Sequence, residues 1–344
     1  MNPTPSRPSC RECEDGPVTA PMLGRRDFIR TVGALALGTT AVATPKARAR
    51  SKAAEASEDL VRELFVSLSG AQKKKLLLPW NHGAENGKGT PTRLNTYNGP
   101  INKLILGDEY TKAQVDLCGR IFRSLGNGDD GFRQLSRGGT FDASGSFENI
   151  SALFFGDPTS KEKFSFVFAG HHLTIRCDGN SEEAAAFGGP LYYGHTPNGY
   201  SDKNVFYHQT KAADELFRTI TADQKKAALS DGKWADGIAS VKLPKKTHAP
   251  AGLAYSAMTK EQREMTEKVM RVLVSPYRKE DGDEVMDIIK ANGGMEKLAL
   301  AFYKDGETKD KGWSYWRLEG PGFVWSYRAL PHIHTFVNIS SKLG

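Results

Sequence analysis

The stretch Ile150-Ser-Ala-Leu-Phe-Phe155, Phe164-Ser-Phe-Val-Phe168 and His172-Leu-Thr-Ile-Arg-Cys177 decides the fold. Its three short runs are dense in aromatic and β-branched residues. Gly156-Asp-Pro-Thr159 separates the first two, and Gly170 precedes the third. Runs of this composition between turn residues predict consecutive antiparallel strands. A second cluster with the same grammar lies near the C-terminus, over Trp313–Leu318, Phe323–Arg328 and His332–Ile339. Neither cluster has enough strands to bury an apolar face alone. The two are therefore expected to pair into one antiparallel sheet flanked by amphipathic helices, an α+β fold.

The helices announce themselves by their starts. Ser69…Gln72, Thr111…Gln114, Thr221…Gln224 and Thr259…Gln262 each place a hydroxyl residue three positions before a glutamine, at the head of an amphipathic stretch. This is the capping box, in which the hydroxyl takes the third backbone N–H and the glutamine returns to the cap's own. Helices should start near Ala71, Lys112, Ala222 and Lys260. Another is expected over Glu58–Leu68. Thr259–Tyr277 should be the longest, with Met265, Val269, Val272 and Leu273 on one stripe. Asp283–Ala291 and Met295–Phe302 read as two further helices, broken at Asn292-Gly293-Gly294. Gly188–Tyr200, rich in glycine, proline and tyrosine, reads as a long loop.

Upstream, Gly24-Arg25-Arg26-Asp27-Phe28-Ile29-Arg30 precedes a mild apolar run of 13 residues, Thr31–Ala43, and Ala47-Arg48-Ala49 supplies a small-x-small cleavage pattern. Thirteen is too few for the roughly 20 residues of a membrane span. The pattern reads as a twin-arginine signal peptide over residues 1–49, a linker over 50–56 and a single α+β domain over 57–344. The expected partner is the twin-arginine export machinery and the expected location periplasmic or secreted, soluble, with no stable membrane insertion. Met22 is an alternative start to Met1.

The chain has 47 Lys+Arg against 40 Asp+Glu, and removal of residues 1–49 leaves 40 against 36. So small an excess, without a basic aromatic stripe, excludes a nucleic-acid partner. Cys10-x-x-Cys13 leaves with the signal. Cys118 and Cys177 stay, either paired or as two buried thiols.

The mature chain's concentrated chemical resource is histidine. His332-Ile333-His334 on a strand puts both imidazoles on one face, with Cβ atoms about 6–7 Å apart. Two such rings grip one metal if a third ligand arrives. His171-His172 opens another strand, so one of that pair can face the same side, and His172 is the better placed. Imidazole ligation suits zinc or copper. The alternative is a structural network in which these rings bond carbonyls. His195, in the aromatic loop, and Glu319, beside Gly320-Pro321, are candidate catalytic residues; a solvated turn carboxylate is the plainer reading of Glu319.

Taken together, several pieces resemble the bacterial family known as domain of unknown function 3500. They are Leu64-Phe-Val-Ser-Leu-Ser69 with Gln72, Phe168-Ala-Gly-His-His-Leu173, Phe187-Gly-Gly-Pro-Leu191, Leu216 to Gln224, Tyr315-Trp-Arg-Leu-Glu-Gly-Pro321 and His332-Ile-His334. The resemblance implies one domain over nearly the whole mature chain and implies no activity. Two functional readings follow from the residues. One is an exported metal-dependent enzyme acting on a small molecule. The other is a metal-free periplasmic protein that binds a small molecule or glycan, with Trp313, Trp316 and Trp325 stacking on sugar rings.

Overall fold

The computed structural model describes residues 52–84, 86–232, 237–243 and 250–341. The twin-arginine segment and its cleavage pattern lie outside them. Among the described residues no helix is long and apolar enough to cross a membrane.

Among the described residues eleven strands form one sheet. They are β1 (Leu77–Leu78), β2 (Ser151–Phe155), β3 (Ser165–Gly170), β4 (Leu173–Cys177), β5 (Leu191–His195), β6 (Leu229–Asp231), β7 (Leu253–Ala254), β8 (Ala299–Lys304), β9 (Tyr315–Gly320), β10 (Phe323–Arg328) and β11 (Ile333–Ile339). The spatial order is β1-β2-β3-β4-β5-β11-β10-β9-β8-β6, with β7 beside β8. The two clusters do join, through β5 and β11, which pair antiparallel from Ile333↔His195 to Val337↔Leu191.

Three expectations need correction. The sheet is mixed rather than antiparallel throughout, because β1 runs parallel to β2 and β6 parallel to β8. Leu191–His195 is a central strand, not part of a loop; its tyrosines are buried, and its glycine and flanking prolines disguised it. Met295–Phe302 is not a helix: a single 3-10 turn over Met295–Lys297 leads into β8. A run of Leu, Ala and Phe is ambiguous between helix and strand, and pairing to β9 decided it.

The helices are α1 (Lys52–Ser67), α2 (Gly70–Leu76), α3 (Leu106–Glu109), α4 (Lys112–Ser124), α5 (Gly128–Leu135), α6 (Tyr207–Thr219), α7 (Ala222–Ala228), α8 (Lys260–Val274) and α9 (Lys279–Ala291). All four capping boxes form with both reciprocal bonds. Their glutamines also bond one another in pairs. Gln72 Nε2 donates to Gln114 Oε1 at 2.7 Å, and Gln224 Nε2 to Gln262 Oε1 at 2.9 Å. Gln114 and Gln262 then reach back to the carbonyls of Ser67 and Thr219, at the ends of α1 and α6.

That repetition extends to the whole fold. In each half, a helix, a short capped helix and a strand parallel to the next hairpin are followed by a capped helix and antiparallel strands. Leu64-Phe65…Gln72-Lys73-Lys74 returns as Leu216-Phe217…Gln224-Lys225-Lys226, about 150 residues on. The sheet order reads outward from β5/β11 in the same way on both sides, so the fold is an internal duplication with an approximate two-fold axis at that central pair.

One face of the sheet is apolar and carries α1, α4, α6 and α8. Phe65 of α1 packs on Phe154, Phe122 of α4 on Phe168 and Phe217 of α6 on Phe302, while Tyr193 Oη donates to Leu273 O of α8 at 2.5 Å. Trp313, Trp316 and Trp325 are fully buried, so they offer no ring to a sugar. Cys118 and Cys177 are buried free thiols and do not pair. Burial pushes both well above the usual thiol range, which leaves them inert.

The other face is polar and lies under irregular chain. Such chain has carbonyls to satisfy, and side chains of the sheet supply the donors. Arg176 Nε and Nη2 donate to Arg93 O and Asn95 O, both at 2.6 Å; Arg317 Nη1 donates to Ser240 O at 2.9 Å; Asn338 Nδ2 donates to Val241 O at 2.7 Å.

Candidate metal centre

At one end of the polar face the strands deliver three histidines to one point. β11 carries His334, and His332 stands just ahead of it. Ile333, between them, is fully buried and pairs with His195. His172 closes the β3–β4 hairpin from the first half. His332 Nε2 lies 2.9 Å from His334 Nε2, which lies 3.0 Å from His172 Nε2. All three rings are buried, none more than 4 % exposed. Three ligands about 2.0–2.1 Å from a tetrahedral zinc stand roughly 3.3 Å apart, so this spacing is close to that of a ligand set.

Gly194 makes the approach possible. It pairs with His334, and a Cβ there would lie 2.3 Å from Ile333 O and 3.2–3.3 Å from the rings of His172 and His334. Tyr192 walls the site, stacked on Phe336 at 4.4 Å and edge-on to His334 at 5.5 Å.

His172 is held from behind. Its Nδ1 lies 2.9 Å from Asp142 Oδ2, and its backbone N donates to Asn98 Oδ1 at 2.9 Å. Asp142 also accepts from Thr196 N at 2.9 Å and from Thr196 Oγ1. Burial pushes the Asp142 carboxyl up, but His171, His172 and Thr196 around it overcome this and hold it far below the usual carboxylate range. An ionised carboxylate only accepts, so the proton sits on His172 Nδ1 and the Nε2 lone pair faces the centre. Burial, reinforced by His334 and His171, keeps His172 far below the ordinary histidine value against the pull of Asp142. Burial, then Arg328 and His332, do the same to His334.

Arg328, the last residue of β10, pairs with His334 across the sheet. Its Nε donates to His332 O at 3.2 Å. Its Nη2 lies 3.0 Å from His332 Nε2 and 2.8 Å from His334 Nε2. A guanidinium has no acceptor, so both imidazoles accept. Nitrogen lone pairs facing one another at about 3 Å repel unless a cation lies among them, and the guanidinium lies against two of the three, His332 and His334.

His172 has φ 54°, in the left-handed region. At the matching place in the second half, between Gly320 and Phe323, the hairpin has Pro321-Gly322, with φ 76° at the glycine. The geometry favours glycine, and a non-glycine residue there costs on the order of 1 kcal/mol. The first half keeps a histidine at that cost.

The other sequence-derived candidates stand apart. His171 Nδ1 accepts from Ala143 N at 3.3 Å and lies 3.6 Å from Asp142 Oδ1; with Asp142 and His172 it makes a second, adjoining set of possible ligands. His195, on the alternate face of β5 from Gly194, accepts from Val205 N at 3.2 Å through Nδ1, and burial lowers its pKa. Glu319 lies at the far end of the strands. It pairs with Arg317, which also donates to Ser326 Oγ at 2.5 Å. That arrangement is a buried ion pair, not a solvated turn carboxylate and not a neighbour of the histidines. Sequence reading missed Asp142, Asn98 and Arg328. Only Arg328 left a signal: a hairpin turning about Pro331 sets residue 328 opposite residue 334.

Residues 108–340 match the family described as protein of unknown function, DUF3500. The chain belongs to the DUF3500 family. No curated protein and no solved structure matches it. Within this DUF3500 protein the matched segment includes His171, His172, His332 and His334 but leaves out α1 and α2, which complete the first half.

Proposed function

We propose that this DUF3500 protein is an exported metalloprotein, in which His172, His332 and His334 hold one zinc or copper ion through Nε2 and leave a fourth position toward Arg328. The observation that carries the reading is the convergence of three buried imidazoles whose Nε2 atoms meet at 2.9–3.0 Å. Asp142 supplies the carboxylate that fixes a ligating histidine's tautomer and strengthens it as a donor. A zinc ion in such a site lowers the pKa of bound water and supports hydrolysis; a copper ion supports redox chemistry. The burial of the site restricts either chemistry to a small substrate.

Metal analysis after incubation of the purified protein with zinc or copper and removal of excess tests this. About one equivalent is expected. Less than about a tenth of an equivalent of either metal overturns the reading. His172→Gly is the sharpest variant, because glycine suits that φ: the fold should persist and loading should vanish. His334→Ala should also abolish loading while the helices stay folded. Replacement of Arg25 and Arg26 by Lys should hold the precursor in the cytoplasm, and continued export would rule out the twin-arginine route.

A further inference from the structure

We infer that the opposite corner of the sheet holds a second site, for a small organic ammonium ion that also carries an oxygen acceptor. Asp178 binds the ammonium group and Tyr277 the oxygen. The inference goes beyond the metal reading and does not depend on it.

Register relates the two corners. In the second half Arg328 pairs with His334. In the first, the antiparallel pairing that sets Leu173 against Tyr193, continued along both chains, brings Asp178 opposite Gly188. A Cβ on Gly188 would lie 2.6 Å from Asp178 Cγ, so the two do meet, and no side chain stands where His334 stands at the other corner. A cavity of about 60 Å³ lies there, lined by Asp178, Gly188 and Tyr277 and walled by Ile175, Phe187 and Leu191. That is room for roughly four waters, or for an organic molecule of about as many heavy atoms. An apolar wall with a few polar groups is the usual make-up of a small-molecule site.

Two polar groups of this cavity lack what burial demands. Tyr277 is 2 % exposed, and its hydroxyl has no hydrogen-bond partner. Burial pushes its pKa well up, so the proton stays on the oxygen and calls for an acceptor. Asp178 is 8 % exposed. Among the described residues its carboxylate accepts only from the backbone N–H groups of Asn180 and Glu182, one on each oxygen. A lone pair is left on each oxygen, and no cation touches this buried charge. The guanidinium groups nearby are committed elsewhere. Arg176 donates through all three nitrogens to the carbonyls of Arg93, Pro190 and Asn95, and Arg278 forks onto Asp281 at 2.9 and 3.0 Å. An anion would have to break those bonds. An ammonium group instead brings the donors and the charge that Asp178 lacks, and an oxygen on the same molecule supplies the acceptor for Tyr277.

The test is isothermal titration calorimetry on the purified protein at pH 8, where Asp178 is ionised although burial raises it to about 6. Ethanolamine, ethylammonium, ethylene glycol and acetate are titrated separately. Ethanolamine should bind saturably at one site and ethylammonium more weakly, while ethylene glycol and acetate should bind about tenfold or more below ethanolamine. Asp178→Asn should lose about tenfold or more in affinity for both amines. Tyr277→Phe should lose about threefold or more for ethanolamine and nothing for ethylammonium. Without amine it should melt no lower than the wild type, because an unpaired buried hydroxyl is gone. That pattern decides the matter if Asp178→Asn does not fold. The inference is overturned by no saturable binding of ethanolamine, by equal ethanolamine affinity in the wild type and either folded variant, or by acetate or ethylene glycol binding as tightly as ethanolamine. None of these results bears on the histidine centre, whose own test is metal loading.

Discussion

The two halves of the duplication carry the same scaffold to opposite ends of the sheet and put different chemistry there. In the first half, β4 ends at Cys177 and the next residue is Asp178; in the second, the equivalent strand ends on Arg328, and Asp178 and Arg328 each stand six residues past the end of their hairpin turn, His172 and Gly322. At the second-half end, Arg328 meets His332, His334 and the His171-His172 hairpin of the first half. At the other end, Asp178 folds back on its own turn, its carboxylate accepting from Asn180 N at 3.1 Å and Glu182 N at 2.8 Å. The hairpin that approaches there is Pro321-Gly322, whose Gly322 O accepts from Ser340 N at 2.7 Å. One end has ring nitrogens converging; the other has backbone. A duplicated fold thus has two equivalent corners, and histidines at a few positions suffice to make one of them a candidate site.

The comparison breaks first at its seam. We expect the halves to unfold together, because β5 and β11 make the sheet continuous and each half's apolar face depends on it. Trp325→Ala, deep in the second half, should cost about 3–5 kcal/mol. Calorimetry should still show one transition. Two separate transitions, or proteolysis yielding two stable halves near residue 200, would show the halves to be independent.

The two corners should respond to acid in opposite directions. Burial raises Asp178 from the ordinary carboxylate value of 3.8 to about 6, despite its backbone hydrogen bonds. The folded state therefore binds a proton that the unfolded state has released. This opposes stability as pH rises from about 4 to 6, by on the order of 3 kcal/mol. His172 and His334 are depressed, so below the unfolded value of about 6.5 the unfolded state binds protons first. Stability then falls with falling pH, by about 1.4 kcal/mol per unit for each ring in the metal-free protein. Urea titrations at pH 5, 6 and 7 should show Asp178→Asn removing the first trend and His172→Gly weakening the second. No change in either slope would remove the contrast.

A smaller effect separates the corners by metal. Asp142→Ala should weaken metal binding about 10–100-fold, the usual cost of losing the group that orients a ligating histidine. Asn292→Ala, whose side chain bonds Ser340 O at the other corner, should leave it unchanged. Equal effects would mean that Asp142 acts only through the fold.

The smallest effect tests likeness rather than difference. Gln114 and Gln262 make the same three kinds of bond in their two halves, so Gln114→Ala and Gln262→Ala should each cost about 1 kcal/mol, alike within error. A marked disparity between them in chemical denaturation would show that the halves have diverged in structure as well as in chemistry.

Sequence alone determined what depends on neighbours along the chain. The four hydroxyl-to-glutamine boxes lie within three residues, so their helices were legible to within a residue of the start. Strands bounded by glycine and proline were legible for the same reason, and so was the shared face of His332 and His334, which needs only the two-residue period of a strand. Tertiary structure decided everything that required a partner distant in sequence. Leu191–His195 became a strand because β4 and β11 offered it edges, and Ala299–Lys304 because β9 did. The local texts of these two segments, glycine-rich in one and helix-like in the other, pointed elsewhere. The duplication stayed hidden because the residues it repeats, Leu64-Phe65…Gln72-Lys73-Lys74 and Leu216-Phe217…Gln224-Lys225-Lys226, are few and far apart, while the rest of it is kept in strand order. Asp142 and His172 are thirty residues apart, and His172 and His334 more than a hundred and sixty. No period or spacing links such positions. They meet because the first half's β3–β4 hairpin ends beside Gly194 of β5, over which the His172 ring reaches His334 on the central strand β11, a meeting that only the packed sheet creates.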